Sequence, residues 1–270
     1  MYFKLIHILN KPVIFVFVIF SLVSCEDIID IPLNDSEPRN VIEGVVTNME
    51  GPYTVRISKS VDYYDPGVYP VVNNAHVELS DGTGFIEVLE GNEEGLYSSS
   101  KMIGHPGRTY SLKVELEGKK YVAESHMTTP VKIDSLKKEY FPAFGDLESG
   151  YYIHCHFTDP PEDGNNYRLI AWKNGEMDEN LYIMDDKFIN GQTVDYFFYS
   201  TSYQIGDSVN IALASIDRPV YEYYATLFNI VAEQGGGNPA NPANPVSNLS
   251  NDALGYFGAL AVDQQGSIVK

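Results

Sequence analysis

This 270-residue sequence encodes an all-β (mostly) protein: two β-sandwich domains in series, the second with one helix. Short runs in which apolar and polar residues alternate recur along most of the chain. Glycine-bearing turns separate these runs at short spacing. Only one stretch, near residue 220, repeats its apolar residues at helical spacing. Alternation with period 2 describes half-buried antiparallel strands, and many such strands between turns describe a sandwich. The composition allows a sizeable core, with 44% hydrophobic and 13% aromatic residues. A disordered chain is poorer in both.

Residues 1–24 read as a leader. Met1 to Lys11 holds two lysines and no acid, and Val13 to Val23 holds no charge. A charged region, a short apolar run and a small-residue cleavage site make a secretory signal. A stable bilayer-spanning helix needs about 20 apolar residues, so this run does not read as a span. Cys25 directly follows Leu22-Val23-Ser24, which makes the signal a lipoprotein signal. The Cys25 sulfur is the expected lipid attachment site, taking a diacylglyceryl group before cleavage and placing the mature chain on a bacterial membrane. Residues 25–39 are acidic, hold two prolines and show no periodicity, as a tether would.

Residues 40–129 carry the first sandwich. Val41, Val45 and Thr47 mark one strand. Tyr53, Val55 and Ile57 alternate with polar residues, as do Ala75, Val77 and Leu79 before the Asp81-Gly82 turn. Tyr110, Leu112, Val114 and Leu116 form the longest alternation, and Tyr121-Val122-Ala123 follows a turn at Gly118. The pattern suits an immunoglobulin-like or transthyretin-like domain. Tyr110, after Gly107-Arg108-Thr109, sits where a tyrosine pins a corner in such sandwiches.

Thr129-Pro130 marks a boundary, and residues 130–270 form the second sandwich. Tyr151, Ile153, Cys155 and Phe157 share one strand face, with Tyr152, His154, His156 and Thr158 on the other. Tyr167–Trp172, Val194–Tyr199 and Val209–Leu213 are further strands. A helix is expected near 218–234: Asp217 caps it, Pro219 fits its first turn, and Val220, Tyr224, Leu227 and Val231 recur on one face. Gly235-Gly236-Gly237 stops it. The Asn-Pro loop 238–245 reads as an ordered loop or a strap over the second sheet. Gly255–Val262 is a final strand.

The charge balance is acidic, with 37 Asp and Glu against 18 Lys and Arg, a net charge of −19. Such a surface repels phosphate backbones, so no nucleic acid is expected as partner. It also repels anionic headgroups, so membrane contact runs through the lipid anchor. With Cys25 acylated, Cys155 has no disulfide partner. Cys155 stands between Ile153 and Phe157 and is expected to be a core thiol, with His154 and His156 on a solvated opposite face. The three therefore cannot converge on one metal ion. The acidic runs Asp159–Asp163, Asp178-Glu179 and Asp185-Asp186 lack the offsets of a calcium loop and read as solvated turns. No G-x-S-x-G, H-E-x-x-H or Walker-type loop occurs. The expectation is a protein with no catalytic residue, metal or cofactor.

The chain holds 20 tyrosines, and three of them lie in the loop Asp62–Pro70, which has no strand pattern. Two readings stand for Tyr63, Tyr64 and Tyr69. One is a contact for ligand or partner, since exposed rings stack on sugars or anchor interfaces. The other is plain use of tyrosine as a β-former. Tyr196, Tyr199 and Tyr203 take the second reading.

Several motifs fall in a fixed order: Leu22-Val23-Ser24-Cys25, Val41-Ile42-Glu43-Gly44, Gly51-Pro52-Tyr53, Asn74-Ala75-His76-Val77, Gly95-Leu96-Tyr97 and Gly104-x-x-Gly107-x-Thr109-Tyr110. Gly206-Asp207-x-Val209, Ser215-Ile216-Asp217, Tyr221-x-Tyr223-Tyr224, Asn238-Pro239 and Gly255-Tyr256-Phe257-Gly258 continue it. This order resembles that of Bacteroidota outer-membrane lipoproteins carrying domain of unknown function 4249. The resemblance spans nearly the whole mature chain. It implies an outer-membrane lipoprotein, often paired with a TonB-dependent transporter, with no established activity. Glu26, Asp27 and Asp30 resemble the export signal that sends such lipoproteins to the outer face. The expected function is a non-enzymatic accessory, or ligand-binding partner, of a TonB-dependent transporter in nutrient uptake, with a glycan or peptide as ligand. The alternatives are a surface hydrolase acting on glycan or peptide, and a structural envelope protein.

Overall fold

The computed structural model describes residues 37–61, 67–234 and 244–270. Cys25 with its leader, Tyr63 and Tyr64, and residues 238–243 of the Asn-Pro loop lie outside them. The mostly β sandwich architecture is as expected. Strands β1 (Asn40–Thr47), β2 (Thr54–Lys59), β3 (His76–Ser80), β4 (Ile86–Val88), β5 (Glu90–Gly91), β6 (Leu96–Ser98), β7 (Thr109–Leu116) and β8 (Lys119–His126) come first. Then follow β9 (Ile133–Phe141), β10 (Gly150–Thr158), β11 (Asn166–Lys173), β12 (Glu176–Met177), β13 (Tyr182–Asp185), β14 (Thr193–Tyr203) and β15 (Ser208–Ile216). Helix α1 (Arg218–Gln234) and β16 (Leu254–Ile268) complete the chain.

The strands make three sheets. The largest runs β12–β11–β15–β16–β1–β2–β6–β5, with β13 also paired to β11. A four-stranded sheet, β4–β3–β7–β8, and a three-stranded sheet, β14–β10–β9, complete the set. Two cores result. In the first, the alternating residues Ile42, Val55, Ile57, Val77, Leu79, Leu112 and Val114 are buried together. In the second, Ile153, Cys155, Phe157, Leu169, Ile211 and Leu213 are. Tyr110 pins the corner expected of it: it is fully buried, and its hydroxyl accepts the His105 N–H at 2.6 Å and lies 3.3 Å from the Ile103 carbonyl.

The cores divide near Thr129, but the strands do not keep to that division. β16 extends six residues past the expected end at Val262 and pairs with a strand of each sandwich. Its first half pairs in parallel with β1, from Val41↔Leu254 to Thr47↔Leu260. Its second half pairs antiparallel with β15, from Ser215↔Ala261 to Ser208↔Ile268. Phe257, Ala259 and Ala261 therefore belong to the first core, and Glu37–Lys270 is one compact unit. At Gly255 the two parallel strands approach so closely that a Cβ would stand 2.1 Å from the Ile42 carbonyl oxygen, with φ at +89°. Only glycine fits there.

Helix α1 begins where expected. Asp217 Oδ1 accepts the Val220 N–H at 3.2 Å, while Oδ2 accepts the Ser125 hydroxyl and the His126 N–H, both at 2.8 Å. The cap thus ties the helix to β8. Val220, Tyr223 and Tyr224 pack on Tyr256 and Leu260, but Val231 is 61% exposed, so the helix outruns its seat. After the Asn-Pro run, the chain returns to the first sandwich. Ser250 N donates to the Val122 carbonyl and Val122 N to Ser250 Oγ, both at 2.9 Å, closing the open edge of β8 in the first sandwich.

Candidate functional site

Of the three loop tyrosines, Tyr69 is described, and it is 60% exposed; Val68 beside it is 92% exposed, and Val71 is exposed as well. The backbone from Pro70 on is hydrogen-bonded to β2. Lys59 N donates to the Pro70 carbonyl at 2.8 Å and Val72 N to the Ile57 carbonyl at 3.0 Å, so the segment lies along the end of β2. Buried Tyr97 donates its hydroxyl to the Val72 carbonyl at 3.1 Å and accepts the Ala75 N–H at 2.9 Å. Backbone and tyrosine together hold the three apolar side chains out to solvent.

Cys155 is fully buried, as its apolar neighbours predict. Burial above all, with the carboxylates of Asp134, Asp195 and Asp263 adding to it, pushes the thiol up to about 12. A thiol so rarely ionised is not a nucleophile. On the opposite face, His154 and His156 are not solvated. Their side chains are only 17% and 16% exposed. The neighbouring strands supply the cover. His154 stacks on Phe197 of β14 at 4.6 Å, its Nδ1 is 2.8 Å from Asp195 Oδ1, and its Nε2 is 3.4 Å from Glu139 Oε2 on β9. Among the described residues, no group of three or more His, Cys, Asp or Glu side chains is arranged to hold a metal.

The acidic runs are fasteners, where solvated turns were expected. Buried Asp159 accepts the Tyr167 hydroxyl and, at 3.0 Å, the Gly191 N–H. Asp186 accepts the N–H groups of Gly164 at 2.6 Å and Asn165 at 2.8 Å. Burial opposes the ionisation of Asp178, but hydrogen bonds from Tyr182, Asn180 and Thr201 outweigh it and hold the carboxyl below the usual range. Each acid closes a turn on the backbone, where it meets donors that local sequence does not reveal.

One surface had no counterpart in the sequence reading. Helix α1 covers part of the outer face of β11, β15 and β16, with the Arg168 guanidinium 4.3 Å over the Tyr224 ring. Farther along the same three strands, Trp172, Asn210 and Gly266 stand side by side in register. They line an open trough of about 620 Å³.

Two solved structures overlap this chain at 10% sequence identity. One is the chicken interferon gamma receptor alpha chain, covering 67% of this chain and 90% of that one at a TM-score of 0.22. The other is a cytokine receptor complex, covering 83% and 94% at 0.23. At these scores the likeness supports no inference about this chain. No curated protein matches it. The pattern of the domain of unknown function (DUF4249) matches residues 26–266, nearly everything after the leader. The chain belongs to the DUF4249 family.

Proposed function

We propose that this protein is a non-enzymatic lipoprotein of a Bacteroidota outer membrane, anchored through Cys25 and displayed at the cell surface. There it serves as an accessory, or ligand-binding partner, of a TonB-dependent transporter in nutrient uptake. The exposed Val68-Tyr69 tip, followed directly by backbone hydrogen-bonded to β2, supports this role most directly. Apolar groups held out to solvent mark contact sites, and a backbone ordered in advance loses little entropy on docking. The leader ending at Cys25 supports the anchor, and Glu26 and Asp27 directly after it support the outer face.

Tagged protein solubilised from outer membranes should bring down a TonB-dependent barrel, identified by mass spectrometry. Replacing Tyr63, Tyr64 and Tyr69 together by Ala should weaken that capture and leave the melting temperature unchanged. A marked fall in melting temperature would make the rings core residues and remove the contact. Protease added to intact cells should degrade the protein; protection would assign it to the periplasmic leaflet. Cys25→Ala should leave the membrane fraction, since stable attachment needs more than one acyl chain and this variant carries none. Unmodified Cys25 in membrane-bound mature protein would end the anchor assignment.

A further inference from the structure

We propose that the trough beside Trp172 binds a neutral carbohydrate. Its wall is Trp172 on β11, its floor is Asn210 on β15 and Gly266 on β16, and Ser208, Gln264 and Ile268 are among the residues around them. Among the described residues no charged side chain lines it, although one residue in five of the chain is charged. An uncharged lining in so acidic a protein favours a ligand without charge. The half-buried indole offers a flat apolar face for the C–H face of a sugar ring. The amides of Asn210 and Gln264 each place a donor beside an acceptor, which complements neighbouring sugar hydroxyls.

Two details single out Asn210. Its Oδ1 is shielded from solvent and has no hydrogen-bond partner among the described residues. A buried acceptor left without a donor is costly, and a turn of the Asn210 amide into the trough would let a ligand hydroxyl meet it. Gly266 leaves room for that turn, since even a Cβ there would stand 3.9 Å from Asn210 Oδ1. An extended peptide fits less well. β15 is paired on both sides, and β11 at Trp172 pairs with both β12 and β15, so these two strands offer a peptide no free backbone edge in the trough.

The site adds a ligand class to the uptake reading but is tested without a transporter, so either can fail alone. Trp172 is the only tryptophan, and its emission therefore reports on the trough. The full chain, in a detergent without a sugar headgroup, is titrated with the hexasaccharides of the malto, cello, manno and xylo series. At least one should give a saturable change in emission. Gly266→Leu should abolish it at an unchanged melting temperature, because the new side chain enters the trough in ordinary contact with Val209 and Asn210. Asn210→Ala and Gln264→Ala, read by the same emission, should each weaken binding about tenfold, and they decide the matter should Gly266→Leu melt early. No saturable change with any of the four up to about 10 mM overturns the proposal. So does a response that survives these substitutions, or an equal response to an uncharged hexapeptide.

Discussion

Glu87 sits on a three-residue strand, yet it holds a distant loop in place. Its carboxylate accepts the N–H groups of Ser100 at 2.6 Å, Lys101 at 2.9 Å and Met102 at 2.6 Å, and the Ser100 hydroxyl at 2.9 Å. Burial opposes its ionisation, but these bonds outweigh it and hold the carboxyl below the usual range. A group depressed in the folded state stabilises the fold above its unfolded pKa and loses that contribution as pH falls through the folded one. Glu87→Gln should therefore cost about 1–3 kcal/mol at neutral pH. In urea melts, the gap to wild type should narrow below about pH 4.3, the ordinary glutamate value. A gap undiminished at about pH 3 would trace the loss to packing and not to charge. Nothing in the sequence separates Glu87 from the other acids, because its donors lie on residues 100–102 and only the fold brings them near. Cys155 is the opposite case. Ile153 and Phe157 at two-residue spacing already place it in the core. It should label slowly with thiol reagents in the native state and rapidly in denaturant, and Cys155→Ala should cost on the order of 1 kcal/mol. Rapid native labelling would contradict the burial.

Helix α1 was legible because its signals are local: a capping acid, a first-turn proline and apolar residues at helical spacing. Its cap does more than the sequence suggests, since Asp217 also binds Ser125 and His126 of β8. Asp217→Ala should cost about 1–2 kcal/mol from the cap alone, and more in total once the bonds to β8 are lost. Denaturant unfolding of Asp217→Ala beside Asp217→Asn would separate the two, because Asn keeps the capping oxygen but puts a donor where Oδ2 accepts from β8. β9 had no such signal. Its run Leu136-Lys137-Lys138-Glu139-Tyr140 shows no alternation, because an edge strand can leave most of its side chains to solvent. The second half of β16 was missed for a related reason. Asp263–Ser267 holds no apolar residue, and its ladder to β15 is what makes it a strand. The trough inherits that difficulty. Trp172, Asn210 and Gly266 become neighbours only through the pairing of three strands, and the lone tryptophan, in phase with Arg168 and Ile170, was the one hint in the sequence.

The two-sandwich arrangement followed from alternation and turns, and the shared strand did not, because parallel pairing between the first and last strands leaves no local mark. Sharing has a direct energetic meaning. A fragment ending at Thr129 lacks the neighbour of β1 and the Phe257, Ala259 and Ala261 side chains of its core. Residues 37–129 alone should stay unfolded, with poorly dispersed amide NMR signals, whereas 37–270 folds. In urea, Trp172 emission and far-ultraviolet circular dichroism of the full chain should trace one coincident transition. Two separated transitions would make the sandwiches independent. The same topology bears on the birth of the molecule. At synthesis rates of about 5–20 residues per second, β1 emerges roughly 10 s or more before β16 is complete. For that interval the first sandwich is a set of strands with a missing middle, and its apolar faces have no closure. Pairing of distant strands is slow, and unpaired edges invite association with other chains. A copy that stops before β16 would be a misfolding hazard, not a smaller working protein.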